Sequence, residues 1–553
     1  MKRYSLLLPV LLILGSLLPL QASRAADAAV PTQVNMINEI IEQGWRDFEI
    51  RPAPEADDST WCRRVFLDVI GRVPTNKELQ DFLDVKDKDK RANLVDQLLH
   101  DDQYTEEYAS HWSTVWTNML IGQSGGNDRR SMISRVGMQK YLRDSFARNK
   151  PYNRMVYELV TASGSTKPGT ENFNGAVNYL IDKVNEEKGV LATSSTSRLF
   201  LGQQVQCTQC HNHPFNQWKQ QMFWEFNSFF RQSRSLRRFV DGTRDIDHAE
   251  LIDQDFAGEA SDPSDALVFY ELRNGLTRVA YPVFTDGKPI EVSGYVSDVN
   301  RREELGRMML ESENLDKMAV NRMWSMFLGF GFTKPVDDLG PHNPASHPEL
   351  LSKLAAEFRK SSYDLKQLIT WITLSRSYNL APVLGSNNEI DDPSIGEMPK
   401  FSRFYLRQMS AEQLYQSLVI VTDASSQGSY EEQERERNRW LQQFVVAFGT
   451  DEGDEATTFN GSIPQALMLF NGDLTKKAIS TANGGFIDRL TKTGKSPRDR
   501  VNDLFITGLA RRPSKNEMTI ANKLLFARKG NEKEMLQDMW WAILNSNEFI
   551  MQH

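Results

Sequence analysis

The chain has few cysteines and no excess of positive charge. Only three cysteines occur among 553 residues, which excludes a fold held together by many disulfides. Lysine and arginine number 65 against 73 acidic residues, so the formal net charge is −8. Because such a chain has no global positive field to hold phosphates, we expect no nucleic acid partner.

The remaining composition is that of a folded protein. Hydrophobic residues make up 40% of the chain, aromatic residues 10% and charged residues 25%. These values exclude wholesale disorder, a collagen-like chain and a multi-span membrane protein. At about 150 residues per domain, the length corresponds to roughly three or four domains.

The N-terminus has the three parts of a secretory signal peptide. Lys2 and Arg3 precede an apolar stretch over residues 4–20, and small residues follow up to Ala25. The uninterrupted apolar length falls short of the ~20 residues that span a bilayer, so a cleaved signal is favoured over an anchor. Cleavage after Ala25 also removes Arg24 and no acid, which takes the net charge from −8 to −11. We expect a periplasmic or secreted protein whose mature chain does not span a membrane.

Hydrophobic periodicity predicts helices along most of the mature chain. Apolar residues recur at three- and four-residue spacing, for example at Val34, Ile37, Ile40, Ile41 and Trp45, and at Cys62, Val65, Phe66 and Val69. Between residues 267 and 284, β-branched and aromatic runs flank Asn274 and Gly275, which predicts a hairpin. We therefore expect a mainly α fold in which a small β-rich insert separates two helical halves. The predicted organisation is a signal peptide over 1–25, a helical domain over 26–233, the insert over 234–295 and a helical C-terminal domain over 296–553.

Four helix starts have the spacing of a capping box, in which a hydroxyl and a side chain three residues later bind free backbone N–H groups. The predicted pairs are Thr75 with Glu78, Ser346 with Glu349, Ser410 with Gln413, and Ser514 with Glu517. Two of these boxes follow an arginine and a proline, in residues 71–75 and 510–514. Ordinary capping chemistry explains this similarity, and a remote internal duplication is the alternative.

One short motif indicates a cofactor. Residues 207–211 read Cys-Thr-Gln-Cys-His, the C-x-x-C-H sequence of c-type haem attachment. Cysteines three residues apart on a helical turn point the same way and can form thioethers to two vinyl groups, while the adjacent histidine offers a nitrogen to iron. We therefore predict that Cys207, Cys210 and His211 bind haem c, with His211 as an axial ligand of the iron.

Two other readings of the motif stay open. Cys207 and Cys210 can form a structural disulfide or a redox dithiol, although the preceding segment is predicted to be helical and not part of a βαβ unit. A zinc site can add His211 and His213 to the two thiolates, although ligands this crowded rarely close around one ion.

A distal iron ligand must come from outside the motif. His213 is a possible distal or second-shell group, although its position two residues past His211 suits a bond to a propionate or to the backbone better. Further candidates are His111, Met222, His342 and His347. The sequence does not choose among them.

Residues 122–126 match the letters G-x-S-x-G of a hydrolase nucleophile elbow. That motif needs a strand before the serine and a helix after it. Residues 112–120 are instead predicted to be helical, so we expect a glycine-rich connector at Ser124.

Several stretches resemble a known family. The first half resembles the planctomycete cytochrome-c-like secreted family, domain-of-unknown-function family 1549. The similar stretches are residues 62–75, His111-Trp112 and residues 200–215. The second half resembles the domain that usually follows it, family 1553, in residues 321–324, 330–332, 337–340, 346–351, 464–468 and 541–549. The resemblance implies an exported protein whose haem residues are Cys207, Cys210 and His211, with His213 as a companion.

The expected function is one-electron transfer by an exported c-type haem protein with an unknown redox partner or exported partner protein. The alternative is a non-redox binding or scaffold protein outside the cytoplasm, in which Cys207 and Cys210 form a disulfide. Beyond the motif, more than five hundred residues show no recognisable catalytic constellation. Whether the protein is an enzyme is therefore left open.

Export predicts a defined new N-terminus. When the chain is expressed in a bacterium that exports it, we expect the intact mass of the product to begin at Ala26, because the signal peptidase recognises the small residues before it. An Ala25→Lys variant should keep residues 1–25. Recovery of the unaltered chain beginning at Met1 would contradict the prediction.

Overall fold

The structure is a computed structural model that describes residues 31–126, 128–422, 476, 478–481 and 485–553. The predicted signal peptide over 1–25 and the stretch over 464–468 lie outside the described residues.

Helices dominate the described part of the chain, and this confirms the mainly α fold. The first group is α1 Thr32–Asp47, α2 Asp58–Ile70, α3 Asn76–Asp84, α4 Lys90–His100, α5 Asp102–Ile121, α6 Arg135–Ala147, α7 Tyr152–Thr161, α8 Val190–Leu201 and α9 Gln220–Asn227. The second is α10 Arg301–Glu311, α11 Glu313–Leu328, α12 Pro348–Lys360, α13 Leu365–Thr373 and α14 Arg376–Asn379. The third is α15 Ala411–Thr422, α16 Phe486–Lys492, α17 Pro497–Leu509, α18 Lys515–Ala527, α19 Glu532–Leu544 and α20 Asn547–Ile550. Within the described residues, none of these helices is both long and apolar enough to cross a membrane.

The strands form three small antiparallel sheets. Their bounds are β1 Gly164–Ser165, β2 Ser233–Phe239, β3 Ile246–Asp253, β4 Val268–Glu271, β5 Thr277–Ala280, β6 Arg407–Gln408 and β7 Met551–Gln552. The first sheet has the order β1-β3-β2, so the insert pairs with a strand from the N-terminal half. The predicted hairpin is β4 and β5, where Val268 lies opposite Ala280 and Gly275 turns at φ +81°. The β-rich insert between two helical regions is therefore confirmed.

Two hydrophobic cores hold the helices together. The larger core draws on residues from Val34 to Tyr405, on both sides of the insert, and adds Ala510. The smaller core is built by α15 to α20 together with Leu67 and Val73. Residues 301–405 thus share a core with the N-terminal half, although the sequence assigns them to the C-terminal domain.

Helix α2 belongs to both cores and is buried on every side. All residues from Trp61 to Ile70 are buried, where the spacing predicts one apolar stripe. The helix begins at a side-chain cap from Asp57 and ends at Gly71, whose φ is +78°. A side chain cannot fit at residue 71, because its Cβ would lie 2.4 Å from Nδ1 of His111.

Three buried charged residues of α2 bind distant parts of the chain. Arg63 donates to the carbonyls of Gly508 and Phe549, each at 2.8 Å. Arg64 donates to the carbonyl of Leu380 at 3.0 Å. These bonds join α2 to α17, to α20 and to the segment after α14. The third residue, Asp68, binds three side chains.

Asp68 accepts hydrogen bonds from three side chains that are remote in sequence. The hydroxyl of Tyr378 lies at 2.6 Å and Nε2 of Gln552 at 2.5 Å, and Arg407 forms an ion pair with the carboxylate. Burial raises the pKa of Asp68, and the charge of Arg407 opposes that rise. The carboxylate therefore ties α14, β6 and β7 to α2.

Three of the four predicted capping boxes are confirmed, at Thr75, Ser410 and Ser514. The one predicted at Ser346 is wrong. Helix α12 begins at Pro348, and its N-cap residue His347 makes no side-chain cap bond. The hydroxyl of Ser346 lies instead 3.0 Å from Nδ1 of His347.

The loop after α2 contains an arginine that binds two glutamates. Arg72 forms two bonds of 2.9 Å to the carboxylate of Glu78 and a further contact of 2.8 Å with Glu107. Its guanidinium lies 5.4 Å from the ring centroid of Phe66, six residues earlier.

The loop after α17 repeats this arrangement. Arg511 binds Glu517 at 3.0 and 2.9 Å and Glu548 at 2.7 Å, and it lies 5.4 Å from the ring centroid of Phe505, again six residues earlier. Capping chemistry requires neither the second glutamate nor the phenylalanine. The two loops therefore share an arginine network that capping alone does not require, and the internal duplication stays the alternative to capping.

The buried ion pair of Asp68 predicts a large loss of stability on truncation. We expect Asp68→Ala to lower the free energy of unfolding by roughly 3–5 kcal/mol, because Arg407 then stays buried without a counter-ion. The matched control is Asp81→Ala, which removes an exposed ion pair with Lys77 and should cost less than about 1 kcal/mol. Urea unfolding followed by circular dichroism measures both. Equal unfolding midpoints for the two variants would contradict the prediction.

Candidate functional site

The C-x-x-C-H motif lies on a short surface turn after α8. Helix α8 ends at Gly202, with φ +62°, and residues Gln206–Gln209 form a 3-10 helix. Cys207 and Cys210 are exposed free cysteines, while Thr208 between them is buried. Cys207 lies in this 3-10 helix and Cys210 directly follows it. Residues three apart on such a turn project to the same side, so we expect both thiols on one side of the turn.

The turn is fixed from beneath by α9. The carbonyl of Gln209 accepts from Nε2 of Gln220 and from Nε1 of Trp224, each at 3.1 Å. Nε2 of Gln220 also donates to the carbonyl of Glu271 in β4, at 2.9 Å. The Trp224 ring stacks on Tyr270 with centroids 6.0 Å apart. The turn that carries the thiols is therefore bound to α9, and α9 is in turn bound to the insert.

One ring nitrogen of His211 is engaged, and the other has no hydrogen-bond partner among the described residues. Its Nδ1 lies 2.7 Å from the carbonyl oxygen of Asn212. Because a carbonyl only accepts, Nδ1 carries the proton and the lone pair of the neutral ring is on Nε2. A backbone acceptor on the second nitrogen is the usual support of a metal-binding histidine.

His213 has the opposite arrangement. Its Nδ1 accepts from the backbone N–H groups of Phe215, at 3.2 Å, and Asn216, at 3.1 Å. The neutral ring therefore carries its proton on Nε2 and has no free lone pair for a metal. His213 shapes the turn that presents the Phe215 ring, which is 86% exposed. Within the described ranges, no three His, Cys, Asp or Glu side chains are placed to hold a metal ion.

Two of the four candidate distal ligands lie on segments that contact the motif loop. Met222 is on α9, between the two residues that bind Gln209. His342 follows a segment that docks on the start of the loop, where the N–H of Leu339 donates to Gly202 at 2.6 Å and Gln204 donates to Asp337 at 2.9 Å. Nε2 of His342 itself lies 2.8 Å from a carboxylate oxygen of Asp338.

The other two candidates are half-buried against core side chains. His111 contacts Trp112 and Gly71, and burial lowers its pKa to about 4. His347 packs against Phe332 and Phe401, and burial lowers its pKa to about 4 as well. Both imidazoles are therefore neutral at pH 7.

The G-x-S-x-G stretch is a connector, as the sequence predicts. Ser124 follows helix α5, which ends at Ile121, and no strand precedes it. The backbone therefore does not form a nucleophile elbow at this serine.

Three residues that position the motif were not predicted from the sequence. Gln220, Trp224 and Asp337 act through contacts with the chain on either side of the motif, and their spacing carries no signal for this. Asn212 directly follows the motif, and its side chain accepts from the N–H of Gln220 at 3.0 Å.

The fold and site define a mainly α-helical protein with an exposed C-x-x-C-H turn. Residues 36–235 match the family described as a protein of unknown function, DUF1549, also designated PSCyt2. Residues 301–444 match a second family described as a protein of unknown function, DUF1553, designated PSD1. The two matching models are those of the domain-of-unknown-function families that the sequence resembles, one in each half of the chain. No curated protein and no solved structure matches the chain.

The difference in burial among the three cysteines predicts that two of them are reactive. In protein made without haem maturation, iodoacetamide should modify Cys207 and Cys210 rapidly, because both are exposed. Cys62 should react only after unfolding, because it is buried and burial raises the pKa of its thiol. Peptide mass mapping gives the sites, and Cys62→Ala is the control, with two labels in either state. Labelling of Cys62 in the folded protein would contradict the prediction.

Proposed function

We propose that this chain is an exported c-type haem protein that exchanges single electrons with another protein. One observation carries the proposal: two exposed thiols share one side of a turn, and the next residue has an open Nε2 lone pair. The residues present fit the group, because the thiols are accessible and His211 has the tautomer that ligation requires.

The residues of the turn have separate tasks in this proposal. The thiols of Cys207 and Cys210 each add across one vinyl group, so two thioethers form and no group leaves. Nε2 of His211 would ligate the iron, while the carbonyl of Asn212 keeps the proton on Nδ1. When bound, the group supplies a one-electron Fe(III)/Fe(II) couple.

Two further observations support the proposal. The N-terminal residues have the pattern of an export signal, and thioether attachment of haem takes place on the far side of the membrane. The resemblance to planctomycete cytochrome-c-like secreted proteins points the same way. The proposed partner is then an exported redox protein. The Phe215 ring is exposed and lies two residues from His213 on the same loop.

Covalent haem is the direct test. In a host with a working cytochrome c maturation system, we expect an intact mass higher by about 600 Da, a haem-stained band on a denaturing gel and a pyridine haemochrome spectrum. The double variant Cys207→Ser, Cys210→Ser should lose all three signals. Cys62→Ser should keep them, because this cysteine is buried in the core.

The same mass measurement separates the alternative function. A colourless product that is lighter by two hydrogens carries a disulfide between Cys207 and Cys210, as a non-redox scaffold requires. That result would overturn the haem proposal, and so would a colourless product with the unmodified mass.

A further inference from the structure

A second candidate site lies away from the C-x-x-C-H turn. A cavity of about 280 Å³ opens where the start of α8, the start of β2 and the segment 254–259 meet. Its wall contains three cationic side chains and two aromatic rings, from Lys188, Arg231, Arg234, Phe256 and Phe269. A cavity of this size accommodates a small organic molecule.

The surroundings of this cavity carry positive charge without ion pairs. The guanidinium of Arg231 lies 5.3 Å from the ring centroid of Phe256, and that of the fully buried Arg301 lies 5.5 Å from the same centroid. Within the described residues, neither of them nor Arg234 forms an ion pair. The three cations of the wall outnumber its two acids, Asp255 and Glu259, so a bound anion would be stabilised here.

Arg231 lines this cavity and leaves part of its hydrogen-bonding capacity unused. Its Nη1 donates to the carbonyl of Lys188 at 3.0 Å, while its Nε is buried and has no hydrogen-bond partner among the described residues. The Nε and Nη2 edge of a guanidinium matches the two oxygens of a carboxylate. Burial and the charge of Arg234 lower the pKa of Arg231, and the charge of Glu259 opposes that shift.

The acids of the cavity limit the charge of the ligand. Asp255 and Glu259 lie in the same wall, and Asp255 accepts from the N–H of Val296 at 3.1 Å. Three cations against two acids favour one negative charge over two. The wall is also well anchored, because the N–H of Phe256 donates to the carbonyl of Gly294 at 2.8 Å.

We propose that this cavity binds a small organic monocarboxylate. The carboxylate pairs with Arg231, with Lys188 and Arg234 nearby, and the apolar body of the ligand lies against Phe256 and Phe269. The site is independent of haem attachment.

Titration calorimetry of the full mature chain tests the proposal with benzoate as the probe. Benzamide has the same shape and no charge, so it should bind at least about tenfold more weakly than benzoate. Arg231→Met keeps the side-chain length and removes the charge, and it should weaken benzoate binding by about tenfold or more. The matched control is Arg238→Met, which removes an exposed arginine of β2 that pairs with Glu250.

The outcomes are distinct. Benzoate binding that is lost in Arg231→Met and kept in Arg238→Met supports the site. Should Arg231→Met fail to fold, Arg234→Met replaces it, with several-fold weaker binding expected. Absence of benzoate binding, equal binding of benzamide, or unchanged binding in a folded arginine variant would overturn the proposal.

Discussion

The ion pair between Asp68 of the buried helix α2 and Arg407 of β6 is the contact on which the rest of the fold depends. Removing charged groups from water is costly, and such groups persist only where partners replace the lost hydration. Asp68 meets this requirement with Arg407, Tyr378 and Gln552, and Arg63 meets it with backbone carbonyls. Because these partners come from distant segments, α2 can be buried only when the whole chain has assembled around it.

The candidate haem site lies outside this core but is oriented by it. The thiols are on a surface turn, yet Gln209 is bound by α9 and Gly202 is contacted by Leu339 from the second helical region. Gln220 extends the support to the insert. The turn is thus held by three parts of the chain, which explains how a short exposed motif keeps a defined geometry.

Most local signals in the sequence predicted the structure, whereas contacts between distant segments left no signal. Spacing predicted the stripe of α1 and the capping boxes at Thr75 and Ser514, since both ends of each interaction lie within one or two turns. The box at Ser346 failed because Pro348 starts the helix and the hydroxyl contacts His347. The burial of Asp68 was not predictable, because its partners lie more than three hundred residues away.

His211 in the motif and His213 just after it show why the residue type alone does not identify a metal ligand. His211 faces a carbonyl through Nδ1 and must donate there, whereas His213 faces two N–H groups through Nδ1 and must accept. The same side chain therefore offers a lone pair on Nε2 at one position and a proton on Nε2 at the other. Backbone direction within three residues decides this difference. The path of the backbone through the turn therefore determines the chemistry of the site as much as the residue types do.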